Sequence, residues 1–329
     1  MRATPVFLCA LVALGSWACG GGRPDAGVDV TWSGFTPDAS VEPPAVPVVA
    51  GEFTRVLVPD NRRYLNDHTI VFDPSARRWH VFGITDTSEA SPHEETEFLH
   101  ASADSLLGPW RIDPDVMHVD RGAGEHFVWA PHVIGSPGAW QMFFTSSVAE
   151  TTLATSADLY QWTRPADWRD RSVHPTGGRD PMVLKLGDRW LVYSVYRREA
   201  PEGTYGQIVV SESRDQRAWT APRVVLEEPG TSYDWGNLES PFVVERNGGY
   251  YLFVTRTDVG TSAYHRTVVF YSTSPERFTW APITEFWAHC AEVIRDGDRW
   301  YVSSGGWTLH TGERWRGLLL APLRWMRPE

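Results

Sequence analysis

Apolar residues along this chain come in short runs that alternate with polar ones and break at turn residues. That is the period of strands rather than the 3.6-residue period of helices. Five stretches share one layout: a polar or aromatic leader, a short apolar strand, a turn, and a second strand opened by Trp or Tyr. They read DHTIVFDPSARRWHVFGIT from Asp67, WAPHVIGSPGAWQMFFTSS from Trp129, DPMVLKLGDRWLVYSVY from Asp180, ESPFVVERNGGYYLFVT from Glu239 and HCAEVIRDGDRWYVSSGGW from His289. The aromatics that open the second strands, Trp79, Trp140, Trp190, Tyr250 and Trp300, recur every 50 to 61 residues. A further strand follows each pair, in FLHASADSLLGPW, TTLATSADLYQW, IVVSESRDQRAW, TVVFYSTSPERF and GLLLAPLRW. A repeat of this size with three or four strands is the size of a propeller blade. Five blades would occupy residues 52–329 and leave no room for a second domain, so the expected fold is all-β, a single five-bladed β-propeller.

In a propeller the innermost strand of each blade lines the central channel. Aligning the five hairpins puts Asp67, Trp129, Asp180, Glu239 and His289 at one equivalent spot, all aimed at the axis. Three carboxylates, an indole and an imidazole would then meet in one funnel although they lie far apart in sequence. Burying acids without partners is costly, so a fold that gathers three of them points to chemistry.

Composition adds to this picture at four points. The chain holds 17 Trp and 13% aromatic residues, most of them expected in the core, though ring faces also suit sugars. Net charge is −11 with no basic stripe, which argues against nucleic acid as a partner. The N-terminus, MRATPVFLCALVALGSWACGGGRPDAG, reads as a secretory signal over residues 1–19, too short to span a membrane. Ala18-Cys19-Gly20 resembles a lipoprotein cleavage site with Cys19 lipidated, plain secretion being the alternative. Membrane contact is expected only through that anchor, in an exported or cell-envelope protein. Residues 20–51, rich in Gly, Pro and Asp, read as a tether. With Cys9 in the signal and Cys19 at its end, Cys290 is left alone, so no disulfide framework is available.

Two carboxylates facing one pocket are what glycosidic cleavage needs: one donates a proton to the leaving oxygen, the other activates water or attacks the anomeric carbon. A third acid can raise the donor's pKa or orient it. Each residue also has a structural reading. Glu239 could cap a turn or pair with Arg256, Asp67 could form an Asx-turn, and Asp180 could simply pair with Arg179, which could equally reach a sugar hydroxyl. His289 could be a core histidine, Glu292 lies close behind the leader, and Cys290 reads as a small buried residue. Trp129 would floor a sugar site, His132 would bind sugar or bond within the blade, and Trp235 and Trp307 would shape the rim.

These leaders, with GRDPMV around Asp180, ESPF around Glu239, WAPHVI and HASADSLLGPW, resemble the five-bladed glycosidases of the β-fructosidase superfamily, glycoside hydrolase families 43 and 32, over residues 60–325. The resemblance implies Asp67 as general base or nucleophile, Glu239 as general acid and Asp180 as the residue tuning Glu239. It also implies His289 near an axial Ca2+ or other cation held through water, no cofactor being required, while Trp129, Arg179, His132 and Trp307 are read from the residues themselves as the candidates for contact with sugar. Family 32 opens with an Asn-Asp-Pro-Asn-Gly motif, replaced here by NDHT, and family 43 usually follows its acid with Gly, replaced here by Ser240. The expectation is therefore an inverting, family-43-like monomer acting on an arabinofuranoside or xyloside linkage of an oligo- or polysaccharide, with a fructofuranoside behind these. A non-catalytic sugar-binding propeller on the cell surface is the competing class, separated by whether any sugar is hydrolysed.

Overall fold

The computed structural model describes residues 44–87, 94–147, 150–166, 172–174, 178–231, 237–258, 263–306 and 316–327. These form five antiparallel sheets, the blades of a β-propeller. Blade I runs through His68–Asp73, Arg78–Ile84, Phe98–Ala103 and Arg111–Val116. Blade II consists of Trp129–Ser136, Ala139–Ser147, Glu150–Ser156 and Trp162–Thr163, with Ser172–His174 also paired to its third strand. Blade III is Arg179–Leu186, Arg189–Ala200, Gly203–Ser213 and Arg223–Glu227. Blade IV is Leu238–Arg246, Gly249–Asp258, Ala263–Ser272 and Thr284–Trp287.

Blade V departs from the others. Its three later strands, Val293–Asp296, Arg299–Ser304 and Leu318–Met326, are completed on the outside by Val46–Val49 and Thr54–Leu57 from the start of the chain. The first and last parts of the propeller are thus stitched into one sheet. Val46–Val49 lies inside the stretch read as tether, so the folded domain begins earlier than residue 52. Pro47 tolerates the position because an outermost strand needs few donors on its free side.

Strand alternation explains why the blades stack. Along Gly249–Asp258, Leu252 and Val254 pack with Tyr193, Ile208 and Val210 of blade III, while Tyr251 and Phe253 pack with Val293, Val302 and Ala321 of blade V. Phe82 and Phe98 of blade I meet Met142 and Phe144 of blade II in the same way. Each sheet therefore buries both faces, and each fully buried Leu or Phe contributes roughly 1.5–3 kcal/mol. The repeated aromatics keep one register: Trp79, Trp140, Trp190, Tyr250 and Trp300 pair with Phe72, Gly135, Lys185, Glu245 and Arg295. The hairpin at Asn247-Gly248 has both residues at positive φ, 52° and 78°, the geometry of a type I′ turn. Among the described residues, no helix is long and apolar enough to cross a membrane.

Candidate active site

A bulge opens the innermost strand of every blade. Trp129 pairs with Thr145 and His132 with Phe143, so three steps on one strand face two on the other; Arg179/Met182 and Glu239/Phe242 repeat this. In blade I the amide of Asn66 and the carbonyl of Asp67 both bond Ile84, at 3.0 and 2.9 Å. In blade V the carbonyls of His289 and Glu292 accept from Gly305 and Ser303. The second residue of the bulge takes a left-handed backbone in four blades: Ala130 at φ 46°, Asp180 at 56°, Ser240 at 50° and Cys290 at 45°. Proline follows in three of them, where the ladder bond is already interrupted. Bulges of this kind bend a strand and re-aim its side chains.

This register corrects the alignment of the five leaders. They do not occupy one equivalent spot but two adjacent ones. Counted back from each hairpin, Trp129, Glu239 and His289 stand with Asn66 and Arg179 at the first bulge position. Asp67 and Asp180 stand with Ala130, Ser240 and Cys290 at the second. The acids nevertheless converge. The Ser240 hydroxyl donates to Oδ1 of Asp67 at 2.8 Å, and the Ser240 amide donates to Oδ2 of Asp180 at 3.1 Å. Arg179 donates to Oδ2 of Asp180 at 2.6 Å and to Oε1 of Glu239 at 3.3 Å. His289 Nε2 lies 3.4 Å from Oδ1 of Asp67. Thr145 holds the Asp180 backbone amide at 3.1 Å.

The three carboxyls share a site and diverge in charge. For Glu239, burial is the largest influence and raises the pKa; Asp180 and Asp67 add to it against the pull of Arg179, leaving it at about 7. Burial likewise raises Asp180, with Arg179 opposing and Asp67 reinforcing. For Asp67 burial acts upward too, but hydrogen bonds and charge from His289, the Ser240 hydroxyl and Arg179 outweigh it, and the group lies below its ordinary value. His289 is raised in return, its pairing with Asp67 overcoming the burial that would lower it.

Beneath the acids a cavity of about 30 Å3 is lined by Asp67, His132, Asp180, Ser240, Cys290 and Glu292 among others, room for a water or two. Glu292, read as an acid behind the leader, faces it directly; its Oε2 accepts from the Ile70 amide at 2.8 Å. His132 lines the cavity as well, but its ring nitrogens look to the Val183 carbonyl at 3.2 Å and to Glu292 at 3.6 Å. Arg179, read both as a partner of Asp180 and as a sugar ligand, bridges two of the acids. Trp129 stacks on Phe127 at 3.6 Å between ring centres. Arg256 pairs with Glu228 at 3.0 Å rather than with Glu239. Trp235, Trp307 and Cys19 lie outside the described residues.

Two participants escaped the sequence reading. Ser240 enters the sequence reading only as a departure from Gly, yet it ties Asp67 to Asp180; the proline that recurs in three of the five bulges is the available signal. Glu95, on a rim loop, accepts from the Tyr64 hydroxyl at 2.7 Å. Burial raises it to about 7, with Tyr64 opposing and Asp67 adding to the rise. Nothing in its local sequence marks it.

No curated protein sequence matches the chain. Among solved structures, the fold is similar to the GH32 beta-fructofuranosidase of Bombyx mori, at 16% identity and TM-score 0.60, covering 83% of this chain but only 61% of that one. It is also similar to the GH43_1 enzyme from Xanthomonas citri complexed with xylose, at 15% identity, TM-score 0.59, with 82% and 89% covered. The endo-arabinase from Bacteroides thetaiotaomicron matches at 15% identity and TM-score 0.61, with 82% and 97% covered. At such identities these likenesses establish the propeller alone. The family profile of glycosyl hydrolases family 43 goes further, matching residues 115–282, just over half of the chain. The chain belongs to glycosyl hydrolases family 43, and it is a glycosidase rather than the non-catalytic sugar-binding propeller that the sequence left open.

Proposed function

We propose that the protein hydrolyses a pentose or furanose linkage with inversion, an arabinofuranoside or xyloside ahead of a fructofuranoside. The observation that carries this reading is the split between Asp67, held ionised, and Glu239, held protonated to about pH 7 in the same buried cluster. Pairs of titratable groups pushed apart in this way mark the base and the acid. Asp67 takes a proton from water as the water oxygen bonds to the anomeric carbon. Glu239 gives its proton to the leaving glycosidic oxygen as that bond breaks. The proton gained by Asp67 returns to Glu239 through solvent, which closes the cycle. Asp180 keeps Glu239 raised, and Arg179 limits that rise while fixing the direction of both carboxyls.

The pentose preference is supported by the fold likeness to an enzyme described with xylose and to an endo-arabinase. The signal-like leader and Cys19 support an exported enzyme, either a cell-envelope lipoprotein or a secreted protein.

Asp67→Asn and Glu239→Gln are each expected to lower kcat by about 10²–10⁴. The two separate by leaving group: an activated aryl arabinofuranoside or xyloside rescues Glu239→Gln but not Asp67→Asn. Proton NMR of the first product formed should show the anomer opposite to the substrate's. Native turnover in both variants would overturn the assignment, and a first product of retained configuration would overturn inversion.

A further inference from the structure

An axial cation held through water is expected near His289, with Ca2+ the first candidate. As direct ligands, the donors that the fold brings together there suit a different ion. Asp67, His289 and Cys290 each offer one ligand atom, and these atoms all lie within 4.8 Å of one another. Calcium takes six to eight oxygen ligands, whereas this set supplies a carboxylate oxygen, an imidazole nitrogen and a sulfur. Mixed O, N and S donors are those of zinc and its borderline-soft neighbours.

One edge of the triangle already has the length that zinc needs. His289 Nε2 and Asp67 Oδ1 stand 3.4 Å apart, and a tetrahedron with ligands at about 2.1 Å from its centre has edges of about 3.4 Å. Cys290 is placed there by two backbone features. Its left-handed φ of 45° turns it at the bulge, and its amide is fixed by the Thr255 hydroxyl at 2.8 Å. Gly305 lets the blade V backbone close on blade I: a Cβ on it would come within 2.5 Å of the Asn66 carbonyl and 2.9 Å of the Cys290 sulfur. Asp67 and Cys290 both line the axial cavity, which leaves room for a water as fourth ligand.

We propose that Asp67, His289 and Cys290 form a site for a thiophilic divalent transition metal, zinc being the type, and that filling it stops hydrolysis by occupying the Asp67 carboxylate. Binding forms bonds from the metal to the Cys290 sulfur, to Nε2 of His289 and to the Asp67 carboxylate; the thiol proton and the proton that Nε2 shares with Asp67 leave to solvent, and no electron is transferred. The site itself rests on the donor set. Its inhibitory effect rests on Asp67 being the base, as proposed above.

The test titrates zinc chloride into the full chain, reading heat by calorimetry and turnover in parallel, with calcium chloride as the contrast and cobalt(II) as an optical probe. The expected result is one zinc bound per chain with half-inhibition at the binding midpoint, reversal by EDTA, and no such response to calcium. Cobalt should give a thiolate-to-metal charge-transfer band in the near ultraviolet. Cys290→Ala and the more conservative Cys290→Ser should lose that band and move the zinc midpoint upward at least tenfold, inhibition being read against each variant's own metal-free turnover; circular dichroism confirms that each is folded. Zinc binding unchanged in both variants, or absent in the native chain, would overturn the site. Zinc bound through Cys290 while turnover continues would leave the site standing, and would refute both the inhibition and Asp67 as base.

Discussion

The propeller holds two buried clusters of titratable groups, and they behave in opposite ways. On the axis, Asp67, Asp180, Glu239, Arg179 and His289 are charged or poised, and Asp67 and Asp180 border a cavity. Between blades I and II, His80 and His100 share a hydrogen bond of 3.0 Å. They are stacked with Phe82 and edged by Tyr160, whose ring centre lies 5.4 and 5.0 Å from theirs. Burial lowers His80 to about 4 and His100 to about 3, with Asp113 opposing in each and His80 adding to the effect on His100. Both clusters are hidden from water. Where charges of both signs meet beside open space, burial drives neighbouring groups apart in protonation. Where a like pair is wedged among rings, burial neutralises both. Perturbed titration alone therefore does not identify an active site; perturbation in opposite senses around a cavity does.

The comparison can be broken first at Arg179. Arg179→Met removes the cation that bridges Asp180 and Glu239 and leaves two acids facing each other unshielded. We expect kcat/KM to fall about 10²-fold. The basic limb of the pH profile, set by Glu239 near 7, should move to higher pH, because the influence that lowers Glu239 is gone. His100→Phe, in the other cluster, should leave both readouts unchanged at neutral pH. A profile that keeps its basic limb in Arg179→Met would show that Glu239 is not the group titrating there.

The second test turns from activity to stability. His80 and His100 have folded values below the unfolded 6.5, so the folded state binds fewer protons and stability rises with pH. Their contribution is complete above about 6.5 and is lost as pH falls toward 4. Between pH 7 and 5 the loss is about 2 kcal/mol for each imidazole. Urea midpoints measured across that range should fall steeply in the native chain and less so in His100→Phe. Equal slopes would show that the pair does not carry the acid sensitivity.

How much of this was legible in the sequence follows from where local rules apply. The hairpins were readable because Trp79, Trp140, Trp190, Tyr250 and Trp300 sit at fixed offsets from turns, and alternation fixes which face each residue takes. The outer strand of blade V was not: Val46–Val49 pairs with Leu318–Met326 across nearly the whole chain, and its neighbouring Gly and Pro residues look like tether. The three acids do come together, yet their alignment slips by one residue at Asp67 and Asp180. A bulge adds a residue without any change in the hydrophobic pattern, so counting forward from the leader loses register, while counting back from the hairpin keeps it. The roles of Arg179 and Ser240 depended on contacts to side chains 60 and 173 positions away in sequence, which no local pattern encodes.

Ser240 offers the finest probe of the axial cluster, because its two donors can be separated. Ser240→Ala keeps the amide bond to Asp180 but deletes the hydroxyl that Asp67 accepts at 2.8 Å. That hydroxyl is one of the influences holding Asp67 down, and a hydrogen bond of about 1 kcal/mol corresponds to about 0.7 pH units. The acid limb of kcat/KM should therefore rise by about that amount while the basic limb stays in place. Ser240→Gly makes the same deletion but also relieves a non-glycine residue at φ 50°, worth about 1 kcal/mol. It should thus show the same acid limb as Ser240→Ala with a higher melting temperature. If the two variants differ in their acid limbs, backbone strain rather than the lost hydroxyl sets the charge on Asp67.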